Sequence, residues 1–197
     1  MLCLGIDPDM HDTAIASWDD RGPVAAHVVS IPKKLTGTDA LLAMMHELSK
    51  PWPTLARFYP FGYEGPDDQP SWCAVEGQEW VKARGVGGQS IVHLGNVAGL
   101  CVMRVARGYL HGCGLYWPKP AEWKGSVPKH AMQARLYTEL GWGYQIVGKG
   151  SSSYAVPLLA VQGFNGFTSE WKHVGDALLL ARWCWEQAQG RKWTSAA

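Results

Sequence analysis

Alternation and helical period divide the chain into readable pieces. LCLGID (2–7) is a short apolar run ending in a carboxylate, the pattern of a strand buried on both faces. TAIASWDDRG (13–22) alternates and then turns at Asp-Asp-Arg-Gly, and PVAAHVVSIP (23–32) alternates again. Together they predict three strands in an antiparallel meander with the first innermost. TGTDALLAMMHELSK (36–50) has an amphipathic pattern behind a cap at Thr38, which predicts a helix. Proline and glycine punctuate 51–70, which reads as loop. SWCAVEGQ (71–78) is a second apolar run ending in a carboxylate, again a buried strand. A glycine-rich basic loop (81–90) leads into a long helix over 90–112, and GLYWPKP (114–120) is a short strand closed by proline. VPKHAMQARLYTELG (127–141) predicts a helix with Pro128 near its start and Gly141 at its end. The stretch 142–169 has no clear period and is a candidate insertion. A final helix spans 170–189, and no internal repeat is evident.

Composition narrows the class. Of 197 residues, 47% are hydrophobic and 18% charged, enough to build one packed domain and too apolar for disorder. No apolar run is long enough to span a bilayer. The first residues turn acidic at once, so neither a signal peptide nor a membrane partner is expected, and the expected location is cytoplasmic. The five cysteines are odd in number and form no CxxC pair, so they read as reduced core thiols rather than a zinc site. Net charge is only +1, but it is unevenly spread. Residues 1–68 carry ten acidic and five basic side chains, and residues 69–197 carry seven and thirteen. A chain divided in this way can present a basic face to nucleic acid despite a neutral total.

The chemistry lies in where the acids fall. Two buried strands each deliver a carboxylate at the C-terminal end, Asp7 and Glu76. The last helix opens with HVGDALLLA (173–181), where His173 and Asp176 share a face with Ala177, Leu180 and Cys184. Taken singly, each has a plain structural reading: a strand end, an edge charge, a residue favoured by the helix dipole. Taken together, three converging acids would repel one another, and a divalent cation resolves that conflict. Oxygen ligands suit Mg2+ or Mn2+. Two such ions about 4 Å apart can stabilise both the attacking and the leaving oxygen of a phosphodiester.

The order strand–acid, strand–acid, His-x-x-Asp resembles the RNase H-like nuclease superfamily, and within it the RuvC-type Holliday junction resolvases. The matching segments are GIDPD (5–9), AVEGQ (74–78) and HVGDALLLA (173–181), with EWKGSVPKHAMQARL (122–136) similar to that family's basic stretch. The resemblance implies an α/β, RNase H-like fold: a mixed five-stranded sheet, antiparallel meander plus parallel strands, flanked by helices, as a single domain over 1–197. It implies an Mg2+- or Mn2+-dependent endonuclease, with two ions per site, that resolves four-way DNA junctions by paired symmetric cuts as a homodimer. Asp7, Glu76, His173 and Asp176 would hold metal, His173 as ligand or as proton carrier, and Lys124 and Lys129 would sit near the scissile phosphate. Gln78, Trp80, Lys82, Arg84, Lys119 and Arg135 join those lysines as expected DNA contacts, with Trp80 placed to stack on an unpaired base. The long helix over 90–112 is the candidate dimer interface through Gly95, Ala98 and Gly99, which could equally pack under their own sheet. The family's usual Pro-Gly after the first aspartate is Pro8-Asp9 here, which points to a divergent, phage-encoded member working in a host cytoplasm.

Other functions compete. The same fold could serve a nuclease acting on RNA or other branched DNA, a transposase-like strand transferase, or a junction-binding protein with weak nuclease activity. "GIDPD" also fits actin-like and sugar-kinase ATPases, but those need a second domain that 197 residues leave little room for.

Overall fold

Strand β1 (Cys3–Asp7) is buried along its whole length, as a run without interior polar positions requires. It pairs antiparallel with β2 (Asp12–Asp19), which pairs antiparallel with β3 (Gly22–Ser30). On its other side β1 runs parallel to β4 (Trp72–Val75), and β4 parallel to β5 (Gly114–Tyr116). The resulting order β3-β2-β1-β4-β5 puts β1 at the centre of a mixed five-stranded sheet, with the expected meander on one side. The computed structural model describes residues 1–50, 71–77, 88–108, 114–158 and 170–191.

Helices cover both faces of the sheet, and strand alternation decides which residue meets which helix. Leu4, Ile6, Ile15, Cys73 and Val75 point to one side, against α1 (Gly37–Ser49) and α2 (Gly88–Gly108) through Ala40, Met44, Leu48, Val97, Ala98 and Cys101. Cys3, Ala14, Ala16 and Ala74 point to the other, against α5 (Trp171–Ala188). Full burial of a side chain such as Met44 or Leu180 contributes roughly 1.5–3 kcal/mol. The first core is filled by large side chains. The second is lined at the middle of the sheet by Gly5, Ala14, Ala16 and Ala74, with Trp18, Trp72 and Tyr116 further out, so α5 sits close to the central strands. At Gly5 a methyl group would fall inside the α5 backbone at Ala177 and Ala181.

The described residues also include the one-turn helix α3 (Pro120–Trp123), helix α4 (Lys129–Glu139), and a hairpin of β6 (Tyr144–Val147) and β7 (Tyr154–Pro157) joined through a 3-10 turn at Gly150–Ser152. The hairpin lies inside the stretch that lacked a readable period. Two expectations shift in detail. Helix α1 starts from Thr36 rather than Thr38, because the Thr36 carbonyl accepts the Ala40 N–H at 3.4 Å. The small residues of α2 divide: Ala98 is fully buried in the sheet core, while a Cβ at Gly95 or Gly99 would meet nothing within 4 Å among the described residues. No helix among the described residues is long and apolar enough to cross a membrane.

Candidate active site

The sheet register makes the first pair. Ile6 sits opposite Val75 across the parallel β1–β4 ladder, and the Glu76 N–H bonds to the Ile6 carbonyl at 3.1 Å. Ile6 and Val75 point to the α1/α2 side. One residue on, Asp7 and Glu76 therefore both point to the α5 side, and both are buried. The two carboxyl groups are close enough for the charge on Asp7 to act on Glu76.

Helix α5 supplies the second pair. Seated on Gly5, its first turns bring His173 and the buried Asp176 over the ends of β1 and β4. His173 Nδ1 lies 3.0 Å from Asp7 Oδ2, and its Nε2 lies 4.0 Å from Asp9 Oδ2. The imidazole thus stands between two aspartates of the same strand end.

The loop after β5 supplies the cations. Pro120 opens α3 and the Glu122 carboxylate caps it, accepting the Lys119 N–H at 2.6 Å. The turn ends at Lys124, where Gly125 adopts φ +59° and redirects the chain into α4. Lys124 Nζ lies over the buried Trp123 ring at 4.5 Å from its centroid, and reaches Glu76 Oε1 at 2.8 Å and Asp176 Oδ2 at 3.3 Å. Lys129, in the first turn of α4, reaches Asp176 Oδ2 at 2.6 Å. One turn on, the fully buried Gln133 donates to Asp176 Oδ1 at 2.9 Å.

The electrostatics follow from this packing. Burial opposes the charge on Asp7, but the hydrogen bond from His173 and the charges of Lys129 and Lys124 outweigh it, holding the carboxyl below the usual carboxylate range. Burial, with Asp7 beside it, pushes Glu76 up to about 8 despite Lys124. Lys124 stays charged: burial opposes this, but Asp176, Glu76 and Asp7 together raise it above the ordinary lysine range. Asp176 thus pairs with Lys124 and Lys129, Asp7 pairs with His173, and Glu76 is the acid whose burial favours the protonated form.

The donor set suits a hard divalent cation. Asp7, Glu76 and Asp176 offer the oxygen donors that such an ion prefers, and an ion there would offset the repulsion between them. Among the described residues, no three His, Cys, Asp or Glu side chains already surround one cation position. The lysine ammoniums stand at the Asp176 oxygen instead.

The structure brings Asp7, Glu76, His173, Asp176, Lys124 and Lys129 into one contact network. Lys119 lies exposed at the start of α3. Arg135 pairs with Glu139 at 3.0 Å, about 200° round the helix from Gln133 and so turned away from the acids. Gln78, Trp80, Lys82 and Arg84 fall outside the described residues. Sequence reasoning missed two participants. In the sequence Asp9 stands out only as a departure from Pro-Gly. Gln133 had a findable signal, its i+4 spacing from Lys129 on a helix.

No family model and no curated protein matches the chain by sequence. Solved structures do. Thermus thermophilus RuvC is similar at 16% identity and a TM-score of 0.56, covering 96% of this chain and 97% of that one. T. thermophilus RuvC in complex with a Holliday junction substrate is similar at 15% identity and a TM-score of 0.53, covering 92% and 90%. The chain therefore has the RNase H-like fold of RuvC.

Proposed function

We propose that the chain is a divalent-cation-dependent endonuclease that resolves four-way DNA junctions by paired hydrolysis, one cut per subunit of a homodimer. One observation carries the reading. Three buried acids, at the ends of β1 and β4 and on α5, converge with His173 on Asp7 and two lysines on Glu76 and Asp176, on a fold shared with a protein known in complex with a Holliday junction.

Asp7, Glu76 and Asp176 would hold Mg2+ or Mn2+, with His173 beside them. Bound there, a pair of ions would supply the charge that favours attack of water on phosphorus and departure of the leaving oxygen. The protein does the rest. Lys124 and Lys129 are already directed at the oxygen of Asp176, and each can transfer its ammonium to a phosphate oxygen as charge develops. Trp123 beneath Lys124 limits how far that side chain can stray. His173, close to both Asp7 and Asp9, can ligate through Nε2 or carry a proton.

Asp7→Asn, Glu76→Gln and Asp176→Asn are each expected to abolish cutting of a synthetic four-way junction in Mg2+ while leaving junction binding within a few-fold, since binding rests mainly on basic residues. The same assay on matched duplex, fork and RNA–DNA hybrid measures selectivity. Near-normal turnover in any of the three variants removes that residue from the site. Equal cutting of all substrates replaces junction resolution with general nuclease activity.

A further inference from the structure

Lys129 and Gln133 lie one turn apart on α4 and reach the same carboxylate, but they take different oxygens. Lys129 and Lys124 meet Asp176 at Oδ2. Gln133 Nε2 meets it at Oδ1, 2.9 Å away, and also faces the Lys172 carbonyl at 3.4 Å. A glutamine amide can often be turned over, exchanging its nitrogen and oxygen. Here the Ala155 backbone N–H donates to Gln133 Oε1 at 2.9 Å, and an N–H requires an acceptor. The backbone of β7 thus fixes the amide, and only its hydrogens face Asp176. Gly175 makes the approach possible, because a Cβ there would come within 2.6 Å of Gln133 Nε2 and 2.8 Å of the Tyr137 hydroxyl.

The two kinds of partner differ chemically. An ammonium neutralises a carboxylate and can leave for a phosphate. A buried neutral amide leaves the charge in place and has no solvent to leave for. We propose, resting on the nuclease reading above, that Gln133 is a positioning residue. It pins Oδ1 of Asp176 so that Oδ2 is the oxygen offered to a cation, and it takes its own orientation from the β6–β7 hairpin. The hairpin thereby belongs to the active site without touching it. A displacement of β7 turns the Gln133 amide and, through it, the Asp176 carboxylate.

The test uses substitutions that separate the two bonds. Gln133→Glu keeps an acceptor for the Ala155 N–H but loses the donor to Asp176. Gln133→Met, similar in size, loses both. Mn2+ binding by calorimetry and Mg2+-dependent junction cutting are measured across alkaline pH, because burial beside Asp176 favours a proton on the introduced carboxyl, which would restore a donor. Gln133→Met at every pH, and Gln133→Glu once its carboxyl ionises, are expected to lose about 10–100-fold in Mn2+ affinity and in kcat, with junction affinity unchanged. Thermal unfolding of Gln133→Glu, Asp176→Asn and the double variant gives a cycle independent of activity. Exchanging donor and acceptor should recover most of the Tm lost in Gln133→Glu alone. Wild-type Mn2+ affinity in both position-133 variants, together with additive Tm changes, would overturn the proposal. If Gln133→Glu does not fold, wild-type Mn2+ affinity in Gln133→Met overturns it alone. A wild-type protein that binds Mn2+ and shows the coupling yet cuts no junction would refute the nuclease reading while supporting the positioning role.

Discussion

Asp7 and Glu76 are neighbours because the register of two parallel strands makes them so. Burial beside the charge of Asp7 is the consequence: it pushes Glu76 up to about 8, and the effect can be measured. Below this pH a cation must displace the proton to bind the carboxylate; above it there is none to displace. Apparent Mn2+ affinity is therefore expected to rise with pH and to level off above about 8, and binding near neutral pH should release a proton. Calorimetry in buffers of different ionisation enthalpy counts that proton. Binding with no proton release near neutrality would place Glu76 outside the cation site.

Among the elements, α5 matters most, since it carries Asp176 and His173 and covers the centre of the sheet. Its position depends on the absence of a side chain at Gly5, where the helix backbone at Ala177 and Ala181 lies against the strand. Gly5→Ala is expected to push the helix outward, costing about 1–3 kcal/mol or more by overpacking and slowing cutting as Asp176 moves from Glu76. Chemical denaturation gives the stability and single-turnover cutting the rate. An unchanged denaturation midpoint would show that α5 tolerates the added methyl. Helix α3 has a comparable task on a smaller scale. Its single capped turn fixes where Lys124 begins, and the glycine after it fixes where α4 begins.

For the molecule as a whole, the question is symmetry. A four-way junction has near-twofold symmetry, which a C2 dimer matches. Val92, Gly95, Gly99 and Met103 fall along one face of α2 at helical spacing. Val92 and Met103 are about half exposed, and Gly95 and Gly99 face open space among the described residues. A second copy of this helix is the occupant proposed for that face. Gly99→Leu adds a side chain where its own subunit presents no obstacle, so the expected outcome is a weakened dimer with an intact monomer fold. Sedimentation measures the first and circular dichroism the second. A protein that stays monomeric on a junction would refute paired cutting, and an unaffected dimer would move the interface to another face.

The sequence alone was enough for the sheet's central strands and for the acids at their ends, because a strand buried on both faces leaves an unbroken apolar run and a carboxylate ending it stands out. His-x-x-Asp was legible for a related reason, since helical period put two polar groups on an apolar face. The hairpin was not legible: its strands have four residues each, half-exposed, around a turn of glycines and serines. Gln133 was legible only as a neighbour of Lys129 at i+4; its work shows only once β7 and α5 close over it. The division of α2, with Ala98 in the core and Gly95 and Gly99 outside, likewise needed the helix to be docked. Periodicity along a chain reports which groups share a face. Only tertiary packing decides which faces meet, and here that decision gave one oxygen of Asp176 to an amide and the other to two lysines.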